Sequence, residues 1–226
     1  MDSPAPSPRA KTSATSARGE ARRRRIIEVA TRLLARSGSR GTSLQEIATA
    51  SGVTQTGLLH HFPTKEHLLN AVLDNRDEFE NSLIWRYGDD PGIRVFDVVA
   101  DVVSEWASRP ELVGLMAILV AENVGDEAML HDRLRANYRR TVNQLARTLQ
   151  GAVDRREIVG PIDPDTKAVE VLAFLSGLEL AWLVDPTIHA EAVARVWADG
   201  QTRLARSGTD TAASEPKLGD QRRHRS

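Results

Sequence analysis

Residues 43–65 read SLQEIATASGVTQTGLLHHFPTK and contain the signals for two short helices joined by a glycine. Ser43 followed by Glu46 is a capping box, in which the serine side chain accepts a hydrogen bond from the backbone N–H three residues on. Gly52 suits a left-handed turn at the end of the first helix, because it has no Cβ. Apolar residues at helical spacing predict the buried face of that helix, namely Leu44, Ile47 and Ala48.

A second helix is predicted to follow Thr54, whose hydroxyl can cap it, and to end before Pro63, which restricts the residue that precedes it. Leu58 and Phe62 are four residues apart and are expected to face inward. A helix, a glycine turn and a second short helix with a polar face together have the layout of a helix-turn-helix. The alternative is an ordinary pair of packed helices whose polar positions face water. The outward positions are Gln55, Thr56, His60 and His61, and Gln and Thr are side chains that contact base edges in DNA.

Residues 22–73 resemble the DNA-binding domain of the TetR (tetracycline-repressor-like) family of bacterial transcription regulators. The matching segments are IIEVATRLLARSG, GTSLQEIATASGV and LLHHFPTKEHLLNAVL. The resemblance implies an all-α fold of about nine helices, in which a three-helix helix-turn-helix DNA-binding domain precedes a helical domain for ligand binding and dimerisation. It also implies a homodimeric, ligand-responsive repressor whose partners are an inverted-repeat operator in double-stranded DNA and a small-molecule effector. The residues do not distinguish a repressor from an activator.

Two positions depart from the pattern of the family. Leu59 stands where the family usually has a tyrosine whose hydroxyl contacts a phosphate, so this contact is either missing or supplied by His60 or His61. Ser39 stands where the family often has an aromatic residue after the glycine that ends the first helix. The serine predicts weaker packing between that helix and the hairpin.

Charge is divided unevenly along the chain, although its formal net charge is only −1. Residues 18–70 hold nine basic and four acidic side chains, a net charge of +5, whereas residues 71–204 hold 14 basic and 23 acidic ones, a net charge of −9. A basic N-terminal part attracts phosphate. Arginines at residues 22–25 and Lys65 lie at predicted helix starts, where a positive charge is unfavourable unless an anion is nearby or water solvates it. The predicted DNA-contacting residues are Arg22, Arg23, Arg24, Arg25, Thr42, Ser43, Thr54, Gln55, Thr56, Gly57, His60, His61 and Lys65.

A series of helices is predicted to follow the GDDPG loop at residues 88–92. Residues 165–184 are apolar on nearly every side, which predicts a helix buried on two sides. Lys167, Glu170 and Glu179 argue against a membrane span. The simplest partner for the second side is a copy of the same helix in a two-fold dimer, and the alternative is the central helix of a monomer. The predicted dimer interface consists of Val169, Leu172, Leu180, Trp182, Leu183, Val193, Val196 and Trp197.

An effector pocket in the helical body is implied by the family resemblance. Aromatic residues, Met and a few polar groups suit such a pocket, although core packing is the competing explanation for each of them. The identity of the ligand is not readable from the sequence. The candidate lining residues are Trp85, Phe96, Trp106, Met116, Leu119, Asn123, Tyr138 and Phe174.

Sequence motifs of enzymes are missing: no Gly-x-Ser-x-Gly elbow, phosphate-binding glycine loop or His-Glu-x-x-His site is present. Cysteine is absent, and His60 and His61 lack further ligands at metal spacing, so we expect no catalytic residue, metal or cofactor. The lack of an apolar h-region favours a cytoplasmic protein. The predicted organisation is a disordered arm at residues 1–19, a DNA-binding domain at 20–70, an effector-binding and dimerisation domain at 71–204 and a disordered tail at 205–226. The alternative function is a helical protein that binds a small molecule or a partner and has a purely structural hairpin.

Overall fold

A computed structural model describes residues 8–207 except residues 85–86, 89 and 126–127. Within these ranges the chain forms nine α-helices and no strand, which confirms the all-α prediction. Short 3-10 turns precede α5 at Gly92–Arg94 and α6 at Trp106–Ser108. The helices are α1 Pro8–Gly41, α2 Leu44–Ser51, α3 Gln55–His61, α4 Lys65–Ile84, α5 Val95–Ser104, α6 Pro110–Glu122, α7 His131–Asp154, α8 Pro164–Val184 and α9 Ala190–Arg206.

The helix-turn-helix formed by α2 and α3 follows the capping signals in the sequence. The Ser43 hydroxyl accepts a hydrogen bond from the N–H of Glu46 at 3.1 Å, and the Thr54 hydroxyl accepts one from the N–H of Gly57 at 3.0 Å. Gly52 ends α2 with a φ of 73°, a left-handed conformation in which a Cβ would be strained. The predicted caps and the glycine turn are therefore confirmed.

A hydrophobic core beneath the helix-turn-helix is shared with α6. We call α1–α3 and the first half of α4 the head, and the rest of the chain the body. Three leucines of the body, Leu115, Leu119 and Leu130, are at most 1% exposed and belong to the same core as the head residues. Burying each of them stabilises the fold by about 1.5–3 kcal/mol. The predicted boundary between residues 70 and 71 thus falls inside α4 and beside a common core. The main head residues of this core are Ile26, Leu34, Ile47, Leu58, Phe62, Leu68 and Leu69.

A second core fills the body between α5, α7, α8 and α9. Its aromatic side chains contact one another across helices. The Trp197 ring of α9 stacks on the Phe174 ring of α8, with centroids 4.2 Å apart, and meets the edge of Phe96 at 6.0 Å. Trp182 of α8 lies 5.9 Å from Trp106. These contacts fix α9 against α8 within one chain.

One side of α8 is uncovered in the single chain, although its sequence predicts burial on two sides. Leu178 is 8% exposed, whereas Leu180 and Val184 are 59% and 79% exposed. None of the described helices has the length and apolar character that crossing a membrane requires. The solvent-facing side of α8 is therefore apolar surface that the body does not cover.

The ends of the first and last helices differ from the predicted boundaries. α1 begins at Pro8, so residues 8–19, predicted to be disordered, are helical, because the alanine, lysine and arginine residues there are good helix formers that extend an existing helix. α9 continues to Arg206, because Ala205 is buried and its carbonyl accepts hydrogen bonds from the N–H groups of Val159 and Gly160 at 2.9 and 3.1 Å. The rest of both predicted disordered segments, residues 1–7 and 208–226, lies outside the described residues.

α1 is broken at Gly38, where the sequence predicts its end. Gly38 has a φ of 69° and a ψ of 177°, a combination that glycine alone adopts readily. The backbone then returns to helical conformation up to Gly41 and leads through Thr42 to the cap of α2 at Ser43. The break therefore sets the direction in which the chain enters the helix-turn-helix.

Candidate nucleic-acid interface

The helix α3, which we call the reading helix, presents one side to solvent and the other to the head core. Leu58 is fully buried, whereas Gln55, Thr56 and His60 are exposed and His61 is half-buried. The predicted exposure of the polar side is confirmed. A short exposed helix of this kind can enter the major groove, where its N-terminal side chains face base edges.

The three hydroxyl groups predicted to contact DNA lie in different environments. Thr42 is 1% exposed and its hydroxyl donates to the Leu33 carbonyl at 3.4 Å, so this side chain faces the core, where the sequence predicted a DNA contact. The cause is the break at Gly38, which turns residue 42 towards the core. Ser43 and Thr54 are exposed, and each uses its oxygen to cap a helix. Their hydroxyl hydrogens can still donate to a phosphate.

The four arginines of residues 22–25 divide into two pairs. Arg25 donates from Nε to the Ser51 carbonyl at 3.1 Å, and the guanidinium of Arg23 lies 5.1 Å from the centroid of the Phe62 ring. These two contacts hold α1 against α2 and α3, whereas the sequence predicted only DNA contacts for these arginines. Residue 23 lies within α1 and shares a face with the buried residues 26, 27 and 30. Arg22 and Arg24 are exposed and are the better candidates for DNA contacts.

Lys65, the first residue of α4, is used inside the head. Its ammonium group donates to the carbonyl oxygens of Ser39 and Thr42, the latter at 2.7 Å. The prediction that Lys65 is placed for a phosphate is therefore corrected: two of its three hydrogens bind the end of α1. Sequence reasoning missed this role because the break at Gly38, which exposes these carbonyls, is a tertiary feature.

The histidine pair lies at the C-terminal end of the reading helix, with ring centroids 5.6 Å apart. Burial lowers the pKa of His61, and the charge of His60 lowers it further. Arg22 and Arg23 act in the same direction, and Glu20 in the opposite one, so residues 20–23 of α1 lie near this end of the reading helix. Within the described ranges, no three His, Cys, Asp or Glu side chains are close enough together to hold a metal ion.

Operator affinity should rise as the pH falls, with most of the gain below the ordinary histidine pKa of about 6.5. The pKa of His61 is lowered, so His61 is neutral at neutral pH and gains a positive charge, which attracts phosphate, only in mild acid. Fluorescence anisotropy with labelled operator between about pH 8 and about pH 5.5 measures this. The variant His61→Gln should lose part of the gain. Identical pH profiles for the variant and the wild type would rule out a role for His61.

A cavity opens in the body between α4, α5, α6 and α8. Its volume is about 40 Å³. Apolar side chains form most of the wall, and the guanidinium of Arg109 lies 4.6 Å from the centroid of the Phe79 ring. An apolar wall with a few charged groups is the kind of lining that small organic molecules bind, and a space of this size has to widen to hold one. The lining residues are Arg76, Phe79, Val102, Glu105, Trp106, Arg109, Leu112, Val113, Leu175 and Glu179.

Among the predicted pocket residues that the structure describes, Trp106 alone lines this cavity. Phe96 and Phe174 pack on Trp197, while Leu119 and Met116 pack in or against the head core. Here the competing explanation, core packing, is correct. Sequence periodicity identifies a buried helix face but does not tell which of its side chains border an empty space.

The remaining predicted pocket residues also have other positions. Asn123 is buried and holds the chain after α6, since its amide donates to the Leu119 carbonyl at 2.8 Å and accepts from the N–H of Leu130 at 3.2 Å. Tyr138 is 50% exposed on α7, and Trp85 lies outside the described residues. The charged residues of the cavity were not predicted, because charged side chains on a helix usually face water.

An apolar strip of exposed aliphatic side chains runs along α8 and α9. Leu172 is half-buried beside it, and Trp182, Leu183 and Trp197 are also half-buried and pack partly against the core of their own chain, a contact that the sequence did not predict. Val184 and Leu204 were missed, although they continue the helical spacing of the predicted residues. The strip consists of Val169, Leu180, Val184, Val193, Val196 and Leu204, with exposed fractions of 44, 59, 79, 43, 70 and 62%.

A basic head with capped helices, an exposed reading helix and a helical body define a helix-turn-helix transcriptional regulator that binds DNA. The chain belongs to the TetR family of bacterial regulatory proteins, whose N-terminal family model matches residues 26–72. The model for the C-terminal domain of BetI-type transcriptional repressors matches residues 92–206. The resemblance predicted from residues 22–73 is thereby confirmed.

Similar proteins are regulators as well. The chain is 26% identical over 170 residues to the HTH-type transcriptional regulator AcrR of Shigella flexneri, which covers 73% of this chain and 79% of AcrR. It resembles the crystal structure of AibR in complex with isovaleryl coenzyme A and operator DNA, with a TM-score of 0.65, 26% identity and coverage of 82% of this chain and 98% of AibR. NalD, the secondary repressor of the MexAB-OprM multidrug efflux pump in Pseudomonas aeruginosa, shares the fold, with a TM-score of 0.66, 23% identity and coverage of 82% and 95%.

Proposed function

We propose that this chain is a ligand-responsive repressor that binds an inverted-repeat operator as a homodimer. The observation that carries the proposal is the pairing of an exposed polar reading helix with an exposed apolar strip on the last two helices. The first surface suits a DNA groove, and the second suits a second copy of the chain. Because it acts on bacterial DNA, we infer that it works in the cytoplasm.

The side chains on and around the reading helix are proposed to have different roles. We infer that Gln55 and Thr56, exposed in the first turn of α3, contact base edges. His60, Arg22 and Arg24 are exposed around them and suit the phosphate backbone, which fixes the position of a protein on DNA without reading its sequence. The net charge of +5 on residues 18–70 favours this approach to DNA.

The apolar strip supports a two-fold dimer in which α8 and α9 of each protomer form a four-helix interface. Its centre contains small residues: a Cβ added at Gly177 of α8 or at Gly200 of α9 would meet no atom within 4 Å in the single chain. Small residues allow the backbones of two helices to approach closely. Two reading helices then contact half-sites about 34–36 Å apart or a larger distance, and the operator is an inverted repeat.

The body cavity supports regulation by a small organic molecule. AibR, which is 26% identical to this chain, was crystallised with both a coenzyme A thioester and its operator. A ligand regulates DNA binding only if it binds the DNA-incompetent arrangement of the two heads more tightly than the competent one. Arg76 and Phe79 of α4 line the cavity, and α4 begins in the head. A ligand bound in the cavity can therefore displace α4 and change the position of the head relative to the body.

Gln55→Ala and Thr56→Ala should each reduce binding at particular bases, by about 1–3 kcal/mol for a bidentate contact. Arg22→Ala, the matched phosphate variant, should weaken all sequences about equally and lower the salt dependence of binding by about one ion. Selection of DNA from a random pool, followed by gel shifts of single-base variants, measures both effects. Equal losses on all sequences for all three variants would contradict the assignment of Gln55 and Thr56 to base reading.

Selection of DNA sequences by the full-length protein tests the proposed function itself. We expect an inverted repeat whose affinity falls steeply with salt. A small molecule that releases the selected DNA would support the repressor, and its binding should be lost on mutation of the cavity. Failure to enrich any sequence would support a helical binding protein with a structural hairpin.

A further inference from the structure

Glu122, the last residue of α6, reaches from the body to the end of α1 in the head. Its carboxylate accepts hydrogen bonds from the backbone N–H groups of Ser39 at 2.7 Å and Arg40 at 3.2 Å. The Arg40 guanidinium donates in return to the Glu122 carbonyl oxygen at 3.2 Å. We call these three hydrogen bonds the Glu122 clamp.

The break at Gly38 creates the groups that the clamp binds. Residues 39–41 begin a new turn after the break, and N–H groups at the start of a helical turn lack backbone partners. A carboxylate is well suited to bind them. Burial raises the pKa of Glu122, but the hydrogen bonds from Ser39 and Arg40 outweigh burial, so the pKa is lowered and the carboxylate is charged at neutral pH.

The same short segment is also held by α4. Lys65 donates to the carbonyl oxygens of Ser39 and Thr42, and Thr42 leads directly to the cap of α2. The turn at residues 38–42 is therefore bound both by the body and by the helix that connects head and body. Its position determines the position of α2, against which the reading helix packs.

A cleft between head and body lies next to the clamp. Its volume is about 180 Å³. The core shared by α1 and α6 packs the head on the body, and the clamp adds directional hydrogen bonds at the end of that contact, beside the cleft. The lining residues are Ser39, Arg40, Lys65, Leu69, Glu122, Asn123, Ala128 and Met129.

We propose that Glu122 is a positioning residue for operator binding, which fixes the angle of each head on its body and so the separation of the two reading helices. This inference rests on the proposed function. In this proposal, the end of α6 makes the dimer selective for one spacing between half-sites. Loss of the clamp leaves each reading helix able to bind a half-site, but it loosens the geometry that two half-sites require at once.

The test compares wild type and Glu122→Gln on three DNA ligands: the selected inverted repeat, a single half-site, and repeats whose spacer is lengthened or shortened by one or two base pairs. The variant keeps the size of the side chain, but it loses the charge and one acceptor oxygen. Affinity for the inverted repeat should fall about tenfold, as expected when a hydrogen bond to a charged group is lost. Half-site affinity should stay within about twofold, and the discrimination between spacers should diminish.

Glu111→Gln, which changes a carboxylate in the first turn of the same helix, is the control and should retain the wild-type spacing preference. Lys65→Met removes the opposite contact to the turn at residues 38–42 and should weaken spacer discrimination in the same way. Its effect should not add to that of Glu122→Gln, because both act on one segment. Thermal unfolding of each variant, measured alongside, shows whether the fold is retained.

Three outcomes would overturn the inference. A parallel fall of half-site and full-site affinity would mean that Glu122 supports the fold of the head or contacts DNA itself. Undiminished spacer discrimination in both Glu122→Gln and Lys65→Met would mean that packing alone holds the head. If the wild-type protein shows no preference for an inverted repeat, both the proposed function and this inference are contradicted. If the wild type prefers one spacing and both variants keep that preference, only this inference is contradicted.

Discussion

Val196→Asp is expected to convert the proposed homodimer into monomers and to lower affinity for the proposed inverted-repeat operator by more than about a hundredfold, the usual gain from linking two binding modules. Val196 is 70% exposed in the single chain, so the substitution should leave the fold of the protomer intact. In the dimer it would place an unpaired carboxylate in an apolar interface, which is strongly unfavourable. Sedimentation velocity measures the oligomeric state, and gel shifts measure operator binding.

Val124→Asp is the matched control, because Val124 is 69% exposed and lies in the segment after α6 rather than on α8 or α9. It should remain dimeric and bind the operator as wild type does. A Val196→Asp protein that stays dimeric would show that the apolar strip is not the interface. A monomer with undiminished affinity for the inverted repeat would contradict the requirement for two linked heads.

Gly38→Ala should lower the free energy of unfolding by about 2–3 kcal/mol or more and the midpoint of thermal unfolding by roughly 4–12 °C. The backbone at Gly38 has a φ of 69° and a ψ of 177°, which an alanine adopts only with strain. A Cβ at this position would also overlap the Glu122 carboxylate and displace the clamp. Operator affinity should fall with stability. Differential scanning calorimetry and gel shifts measure the two effects.

Gly41→Ala, three residues further on in the same helix, is the control. A Cβ at Gly41 would meet the Cβ of Ser37 at 3.4 Å, which is ordinary contact. The variant should be as stable as wild type or more stable by up to about 1 kcal/mol, since alanine restricts the unfolded chain. Equal melting of Gly38→Ala and wild type would show that the break in α1 is not needed for the fold.

Val196→Asp and Gly38→Ala each disturb one of two arrangements that binding to an inverted repeat requires. In the proposed dimer, the apolar strip on α8 and α9 determines how two protomers meet, and the break at Gly38 determines how each head enters its helix-turn-helix. An inverted repeat is bound only when both are correct, because both reading helices must reach their half-sites together. Substitutions at sites far from the reading helix should therefore alter DNA binding as strongly as substitutions within it.

Local interactions explain why the helix-turn-helix was readable in advance. Ser43, Gly52 and Thr54 act on backbone groups within three or four residues of themselves, so their types and spacing determine the two helices and the turn. The exposure of Gln55 and Thr56 follows from the burial of Leu58 on the same short helix. These features need no information from the rest of the chain.

The contacts that the sequence did not predict share a different cause. Lys65 and Thr42 carry residue types suited to DNA, yet the turn at residues 38–42 directs both of them to internal partners. Trp182 and Trp197 lie on apolar helices, but their rings meet partners on other helices of the same chain. Whether such a side chain faces a core, a cavity or a second protomer depends on which helices surround it.

The amino-acid sequence alone established the family, the all-α class, the capped helix-turn-helix and the exposed polar helix, because these depend on short-range periodicity and on hydrogen bonds between near neighbours. The folded arrangement established the break at Gly38, the internal use of Lys65, the Glu122 clamp and the position of the body cavity. These features join residues as far apart as 39 and 122. Only the packing of α6 against α1 brings such residues within hydrogen-bonding distance.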